Sequence, residues 1–342
     1  RSLSKRLKRT TCNMRIFHGF DNLAPISKPI VTIGSYDGVH HGHREILSHV
    51  CKLARQHSGE SVVITFHPHP RLVLHKDQTL RQLNTLPEKL ELLARVGIDN
   101  VLIIPFTEAF SRLQAEEFVH DYLVQKLHID TLEIGYDHHL GHGQQGDFNA
   151  LEKLAGQYGF RLQQIPQQRV DDHKVSSTII RQLIASGHLT EAARYLDTYY
   201  PLSGYLNRDG LLTGVESVKL LPPPGAYPCL LYPHFIPQSE SDFNEVTSDG
   251  RWNPLNHSQA AQYNSICHAL NYSSNKTAES LSTHTTLTID QNGNLSISQD
   301  NLSEIWAKIG SWYLDKTEAE APMNRCNSDF AKLHFAVRIE FV

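Results

Sequence analysis

The chain has 342 residues, 40% of them apolar, and a formal net charge of −4 at pH 7. That length exceeds the ~250–300 residues at which a single core stops growing, so two domains are expected. The charge excludes a global attraction for nucleic acid, and no apolar run approaches the ~18 residues of a membrane span.

In chain order, the first segment, RSLSKRLKRTTCN (1–13), is basic and lacks an apolar stretch. It reads as a disordered extension and not as a secretory signal. From Pro29 the chain alternates. IVTIG (30–34), SVVITF (61–66), NVLIIPF (100–106) and TLEIG (131–135) are short, β-branched and apolar on both faces, as buried parallel strands are. RLQQI (161–165) is a weaker fifth, suited to an edge. Between them, HREILSHVCKLARQH places Ile46, Leu47, Val50, Leu53 and Ala54 on one helical face. PEKLELLARVG opens with Pro87 and closes with Gly97, the usual helix punctuation. AEEFVHDYLVQKL and FNALEKLAGQYG are further helices, and VSSTIIRQLIASG and HLTEAARYL close this half near residue 200.

Strand–helix alternation over residues 14–200 predicts an α/β domain, a Rossmann-like doubly wound parallel sheet whose ligands bind beyond the carboxyl ends of its strands. Residues 201–342 change grammar. LLTGVESVKLLPPPGAYPCLLYPHF, THTTLTIDQNGNLSIS and KLHFAVRIEFV are β-rich, and DQNGN is a hairpin signal. A mostly β, barrel-like second domain is expected, with a helix near NLSEIWAKIGSWYLD. The stretch 237–280, rich in Ser, Asn and Gln, reads as a long polar insertion. Five cysteines (Cys12, Cys51, Cys229, Cys267, Cys326) are scattered and form no C-x-x-C, which suits a reducing cytoplasm and no disulfide framework.

Two stretches carry chemistry. In GSYDGVHHGHREIL, Gly34, Gly38 and Gly42 would let backbone approach a ligand, and the following helix offers free N–H groups to an anion. His40 and His43 lie at the helix entry, where both can hydrogen-bond phosphate oxygens and a protonated ring would stabilise developing charge. Asp37 either contacts the nucleotide or stabilises the turn. In VSSTIIRQL, Ser176, Ser177 and Thr178 open a helix, as phosphate ligands or as simple caps, and Arg181 adds a fork-shaped cation one turn in. Neither G-x-x-x-x-G-K-[ST] nor G-x-G-x-x-G occurs here. Several histidines are close in sequence, but without H-E-x-x-H or cysteine partners no protein-held transition metal is expected.

The H-x-G-H of HHGH and the S-S-T-x-x-R of SSTIIR resemble the paired signatures of the nucleotidyltransferase superfamily. More narrowly, TIGSYDGVHHGHREIL, ITFHPHPRLVL, GYDHHLGHGQQGDF and VSSTIIRQLIASGHLTEAARYL resemble the prokaryotic bifunctional riboflavin kinase/FAD synthetase family. The resemblance implies FMN adenylylation, with ATP and FMN as substrates and Mg²⁺ on the phosphates. It gives His40, His43 and Arg181 catalytic roles. Gly34, Ser35, Tyr36, Asp37, Gly42, Ser176, Ser177 and Thr178 would bind the nucleotide, and Phe66, Pro68, His69, Pro70 and Asp137 the flavin. Between Asp137 and Gly141 this chain has His and Leu where the family usually has basic and aromatic residues.

The second domain resembles the family's flavokinase barrel at LSGYL, VKLLPPPGAYPCLL and KLHFAVRIEF, but its P-T-A-N loop is absent. NRDGLLTGVESVKL offers only Arg208, Thr213 and Lys219 for a kinase's phosphates. The expectation is an FMN adenylyltransferase with a degenerate kinase module. The alternatives are an intact bifunctional enzyme or a non-catalytic flavin- or nucleotide-binding protein. Its partners are small molecules, neither nucleic acid nor membrane, and homo-oligomerisation stays open.

Overall fold

The computed structural model describes residues 14–21, 23–74, 79–136, 140–141, 146–165, 169–170, 173–207, 209–233, 283–298, 302–305 and 335–342. The expected extension at 1–13 and the polar insertion at 237–280 lie outside the described residues. Of the helix expected near 301–315, residues 302–305 are helical and the rest falls outside.

Six parallel strands, β1 (Arg15–His18), β2 (Pro29–Ile33), β3 (Glu60–His67), β4 (Asn100–Pro105), β5 (Thr131–Gly135) and β6 (Arg161–Ile165), lie in the order β1-β4-β3-β2-β5-β6. The five expected strands are β2 to β6, with RLQQI at the edge. β1 is illegible in the sequence, because four residues are too few to show a period. The helices are α1 (His41–Gln56), α2 (Pro70–Leu74), α3 (Leu86–Val96), α4 (Ala115–Glu117), α5 (Phe148–Tyr158), α6 (Ser177–Ala185) and α7 (Leu189–Leu196).

Alternate residues of the central strands serve opposite cores. Val62, Ile64, Leu102 and Ile104 pack with Phe118, Val119 and Leu151 on one face. Val63, Val101 and Ile103 pack with Leu47, Leu90 and Leu93 of α1 and α3 on the other. Both faces are covered, which is why these strands are apolar throughout.

One expected helix is altered. AEEFVHDYLVQKL begins as α4 and then widens into a π-helical run over Phe118–Val124. Side-chain packing accompanies the change: Phe118 and Tyr122 stack on each other, and both rings meet Phe20 and Phe110.

From β2 the chain moves to β3 on one side, and after β4 it returns to β5 on the other. This reversal opens a crevice at the carboxyl ends of β2 and β5, where ligands of such sheets bind. The amino end of α1 follows β2 into that region.

A two-stranded hairpin, β7 (Arg169–Val170) with β8 (His173–Lys174), precedes α6. The second domain is a closed barrel of six antiparallel strands. They are β9 (Tyr200–Leu206), β10 (Leu211–Thr213), β11 (Gly225–Pro233), β12 (Thr283–Ile289), β13 (Leu295–Ile297) and β14 (Phe335–Phe341). The expected hairpin joins β12 to β13, with Asp290 Oδ1 accepting from the N–H groups of Asn292 and Asn294. The barrel core includes Leu202, Leu231, Leu287 and Ile339, and it also takes in Ile180 and Ile184 of α6, Ala192 and Leu196 of α7, and Leu83. The two closing helices of the first half therefore share the barrel's core.

A buried seam joins the domains. Gln82 donates its N–H to the Val218 carbonyl and accepts from the Leu220 N–H. Lys219, fully buried, donates to Glu88 Oε2 at 2.6 Å and to the Leu83 carbonyl at 2.7 Å, and lies over the Tyr200 ring at 4.2 Å. Glu88 also closes the capping box of α3 with Thr85. Removing one partner of such a pair strands a buried charge. Lys219→Met should therefore lower stability by ~3–5 kcal/mol in denaturant titrations, and a loss under ~1 kcal/mol would contradict the assignment.

Candidate functional site

The turn from β2 to α1 is held in an uncommon backbone conformation. Tyr36, Gly38 and Val39 all have positive φ, at 47°, 92° and 40°. For a β-branched residue such as Val39 this conformation costs about 1–3 kcal/mol, so the surroundings must impose it. Asp37 does so. Its buried carboxylate accepts from the N–H groups of Leu83 and Asn84 at 2.9 and 3.1 Å, and pairs with the Arg181 guanidinium at 2.5 Å. Its carbonyl accepts from Ser177 Oγ at 2.8 Å. Arg181 Nε donates to the Arg81 carbonyl. The two signature stretches thus meet through one aspartate.

Several of these residues also have partners within the fold. Gly34 and Gly38 are read in the sequence as clearance for a ligand. A Cβ at Gly34 would lie 3.0 Å from the Tyr36 ring, a tight contact, and one at Gly38 2.7 Å from Leu83 Cδ1, where the φ of 92° already favours glycine. Tyr36 is buried, with its hydroxyl on Thr32 Oγ1 at 2.7 Å. Ser176 caps α6 by accepting from the Ile179 N–H, whereas Thr178 is exposed. Ser35 offers its carbonyl to Thr65 Oγ1, and Gly42 lies in the first turn of α1.

His40 caps α1, its Nδ1 accepting from the His43 N–H at 3.3 Å. The bond assigns the neutral ring's proton to Nε2, which is left to donate. The His40 and His43 rings stack at 3.6 Å, and Tyr36 meets His43 edge-on at 5.1 Å. Burial pushes the His40 imidazole down to about 4 and His43 well below its ordinary value, the latter helped by His40 and Lys89. Burial thus favours the neutral form of both rings over a protonated one, because it disfavours the charged form.

In the turn after β3, Pro68 is exposed and His69 buried, and Pro70 opens α2. His69 Nδ1 accepts from the Arg71 N–H, and burial pushes this imidazole too down to about 4, with Asp37 opposing and Lys89, Arg181 and Arg71 assisting. Phe66 packs against Phe106 and Phe110. The histidine turn and the proline turn thus share one electrostatic neighbourhood. Asp137 lies outside the described residues.

The sequence reading missed Lys89. It lies on α3, buried, with Nζ donating to Thr65 Oγ1 at 3.4 Å. Its signal was present: Leu86, Lys89, Leu90 and Leu93 follow helical spacing, and a lysine occupies the apolar stripe.

Residues 24–179 match the family model described as FAD synthetase. The chain is 35% identical over 193 residues to the bifunctional riboflavin kinase/FMN adenylyltransferase of Escherichia coli K12, an alignment covering 56% of this chain and 62% of the relative. It is 30% identical over 192 residues to the protein of that name from Buchnera aphidicola of Acyrthosiphon pisum, covering 56% and 61%. The aligned part thus spans about three-fifths of the length of these relatives. A crystal structure described as a macrolide-efflux protein from Streptococcus pneumoniae superposes with a TM-score of 0.62 at 18% identity, covering 96% of this chain and 89% of that one, a likeness of fold alone.

The buried imidazoles make stability depend on pH. His40 and His69 titrate at about 4 in the folded chain against 6.5 ordinarily, so between those values the unfolded chain binds more protons. Their contribution is complete above about 6.5 and is lost as pH falls towards 4. Thermal unfolding should show a falling Tm between pH 7 and pH 4.5, with a shallower slope in His40→Asn, which keeps a capping acceptor. Identical slopes would exclude His40 as a source.

Proposed function

We propose that this chain, whose residues 24–179 match the family model described as FAD synthetase, transfers AMP from ATP to FMN and releases pyrophosphate. The observation that carries the reading is the union of the histidine turn and the amino end of α6 through Asp37, at the carboxyl side of a doubly wound sheet. In the reaction an FMN phosphate oxygen attacks the α-phosphorus of ATP, and the bond to the α,β-bridging oxygen breaks. Pyrophosphate leaves with that electron pair. No covalent enzyme intermediate is needed, so the protein's task is positioning and stabilising negative charge.

His40, with Nδ1 already engaged, donates from Nε2, and His43 beside it offers a second neutral imidazole to the phosphates. The exposed Thr178 and the first backbone N–H groups of α6 take further phosphate oxygens. Arg181 keeps the two stretches in register through Asp37. Phe66, Pro68, His69 and Pro70 form the wall against which FMN is held. Among the described residues no three His, Cys, Asp or Glu cluster as a metal cage, and Mg²⁺ commonly binds largely through substrate phosphates. The metal would arrive on the ATP phosphates, and no step is assigned to it.

Riboflavin phosphorylation is not part of the proposal. Of the three candidate phosphate ligands in the barrel, Lys219 is buried against Glu88, Thr213 donates to the Tyr205 carbonyl, and Arg208 lies outside the described residues.

Chromatography of flavins after incubation with ATP and Mg²⁺ tests both statements. FMN should yield FAD, and riboflavin should not yield FMN; no FAD from FMN would overturn the first, and FMN made as fast as FAD the second. His43→Ala should lower kcat by ~10²–10³ while changing KM for ATP little, since its donor acts as charge develops.

A further inference from the structure

Two uncharged histidines at the phosphate site raise the question of which group balances the phosphates' charge. Arg181 is neutralised by Asp37, and the Asp37 carboxylate is further saturated by two backbone N–H groups. Lys89 is different. Only 3% of it is exposed, and among the described residues the one hydrogen-bond partner of its ammonium is the Thr65 hydroxyl at 3.4 Å, with no carboxylate in an ion pair. Thr65 in turn donates to the Ser35 carbonyl at 3.4 Å, so the ammonium sits behind the turn that the adenylylation reading assigns to the nucleotide. Near it a buried atom lacks a partner altogether: His43 Nδ1 makes no hydrogen bond.

We propose that Lys89 is the buried counter-charge of a polyphosphate site, its ammonium under the carboxyl ends of β2 and β3 balancing the phosphoryl groups that the neutral His40 and His43 bind. The inference rests on the adenylylation reading for the identity of the nucleotide, but its own ligand is the pyrophosphoryl group, free or as part of ATP.

The physical argument is one of cost. An ammonium buried without an acid partner weakens a fold. α3 would be better served by leucine or methionine at this position, in line with Leu86, Leu90 and Leu93. Burial lowers the Lys89 pKa to about 8, with Asp37 opposing, so the group remains mostly protonated at pH 7. A fixed charge in a water-poor site costs no reorganisation when an anion arrives and interacts with it more strongly than a solvated one does. Lys89 acts as a positioning charge behind the histidines, not as a donor that touches the scissile bond.

The test compares the full-length protein with Lys89→Met, which keeps the side chain's length and removes its charge. Three quantities are read: binding of inorganic pyrophosphate by calorimetry, Tm, and the split of kcat from KM for ATP in FAD formation. Pyrophosphate affinity should fall about ten- to a hundred-fold in the variant, and KM for ATP should rise with it, while Tm holds or rises. Pyrophosphate binding within twofold of the parent overturns the proposal, as does a parent that binds no pyrophosphate. So does a Tm that falls together with binding, since the lysine would then serve the fold. A parent that binds pyrophosphate through Lys89 yet makes no FAD overturns the adenylylation reading and leaves this one standing.

Discussion

The carboxylate of Asp37 is the constraint on which the rest of the site depends. It is buried, it lies between two residues of left-handed backbone, and it is met by donors from two other segments of the chain. Without those donors a buried carboxylate would be untenable. With them, the histidine turn, the strand-like segment around Leu83 and the start of α6 can adopt only one mutual arrangement. The strain at Tyr36 and Val39 is the local cost of that arrangement.

The same segment faces the barrel. Gln82 and Leu83 bond to residues 218–220, Glu88 holds Lys219, and Leu83 belongs to the barrel's core together with α6 and α7. The second domain therefore positions the first domain's site whether or not it has chemistry of its own. The helix that carries Ser177 and Arg181 is seated by packing in the barrel's core, while the histidine turn is seated by the parallel sheet. The candidate site lies where two cores meet, and the Asp37 and Lys219 bonds fix their relative placement.

Electrostatically the site is unusual in where its charge lies. The residue types that announce themselves, the stacked histidines, are held towards the neutral form by burial. The cations are behind them. Arg181 is matched to Asp37, and the Lys89 ammonium, within the field of Asp37, hydrogen-bonds among the described residues to the Thr65 hydroxyl alone. A neutral donor layer backed by a fixed charge suits an anion whose charge shifts from one phosphoryl group to another during reaction.

The sequence by itself determined the periodicities and the local chemistry. Apolar runs marked β2 to β6, Pro87 and Gly97 bracketed α3, DQNGN closed the β12–β13 hairpin, and both signature stretches were visible as strings of suitable residue types. All of these are properties of neighbours along the chain. Tertiary structure decided what depends on groups far apart in sequence. It gave Asp37 an anchoring role between two segments, placed Gly34 and Gly38 against Tyr36 and Leu83, and turned Lys219 from a candidate phosphate ligand into the partner of Glu88. It also left Lys89 charged among leucines. A side chain's protonation state and freedom to bind are set by burial and by partners far along the chain, as Arg181 and Asp37 are at a separation of 144 residues, and a string of letters carries neither.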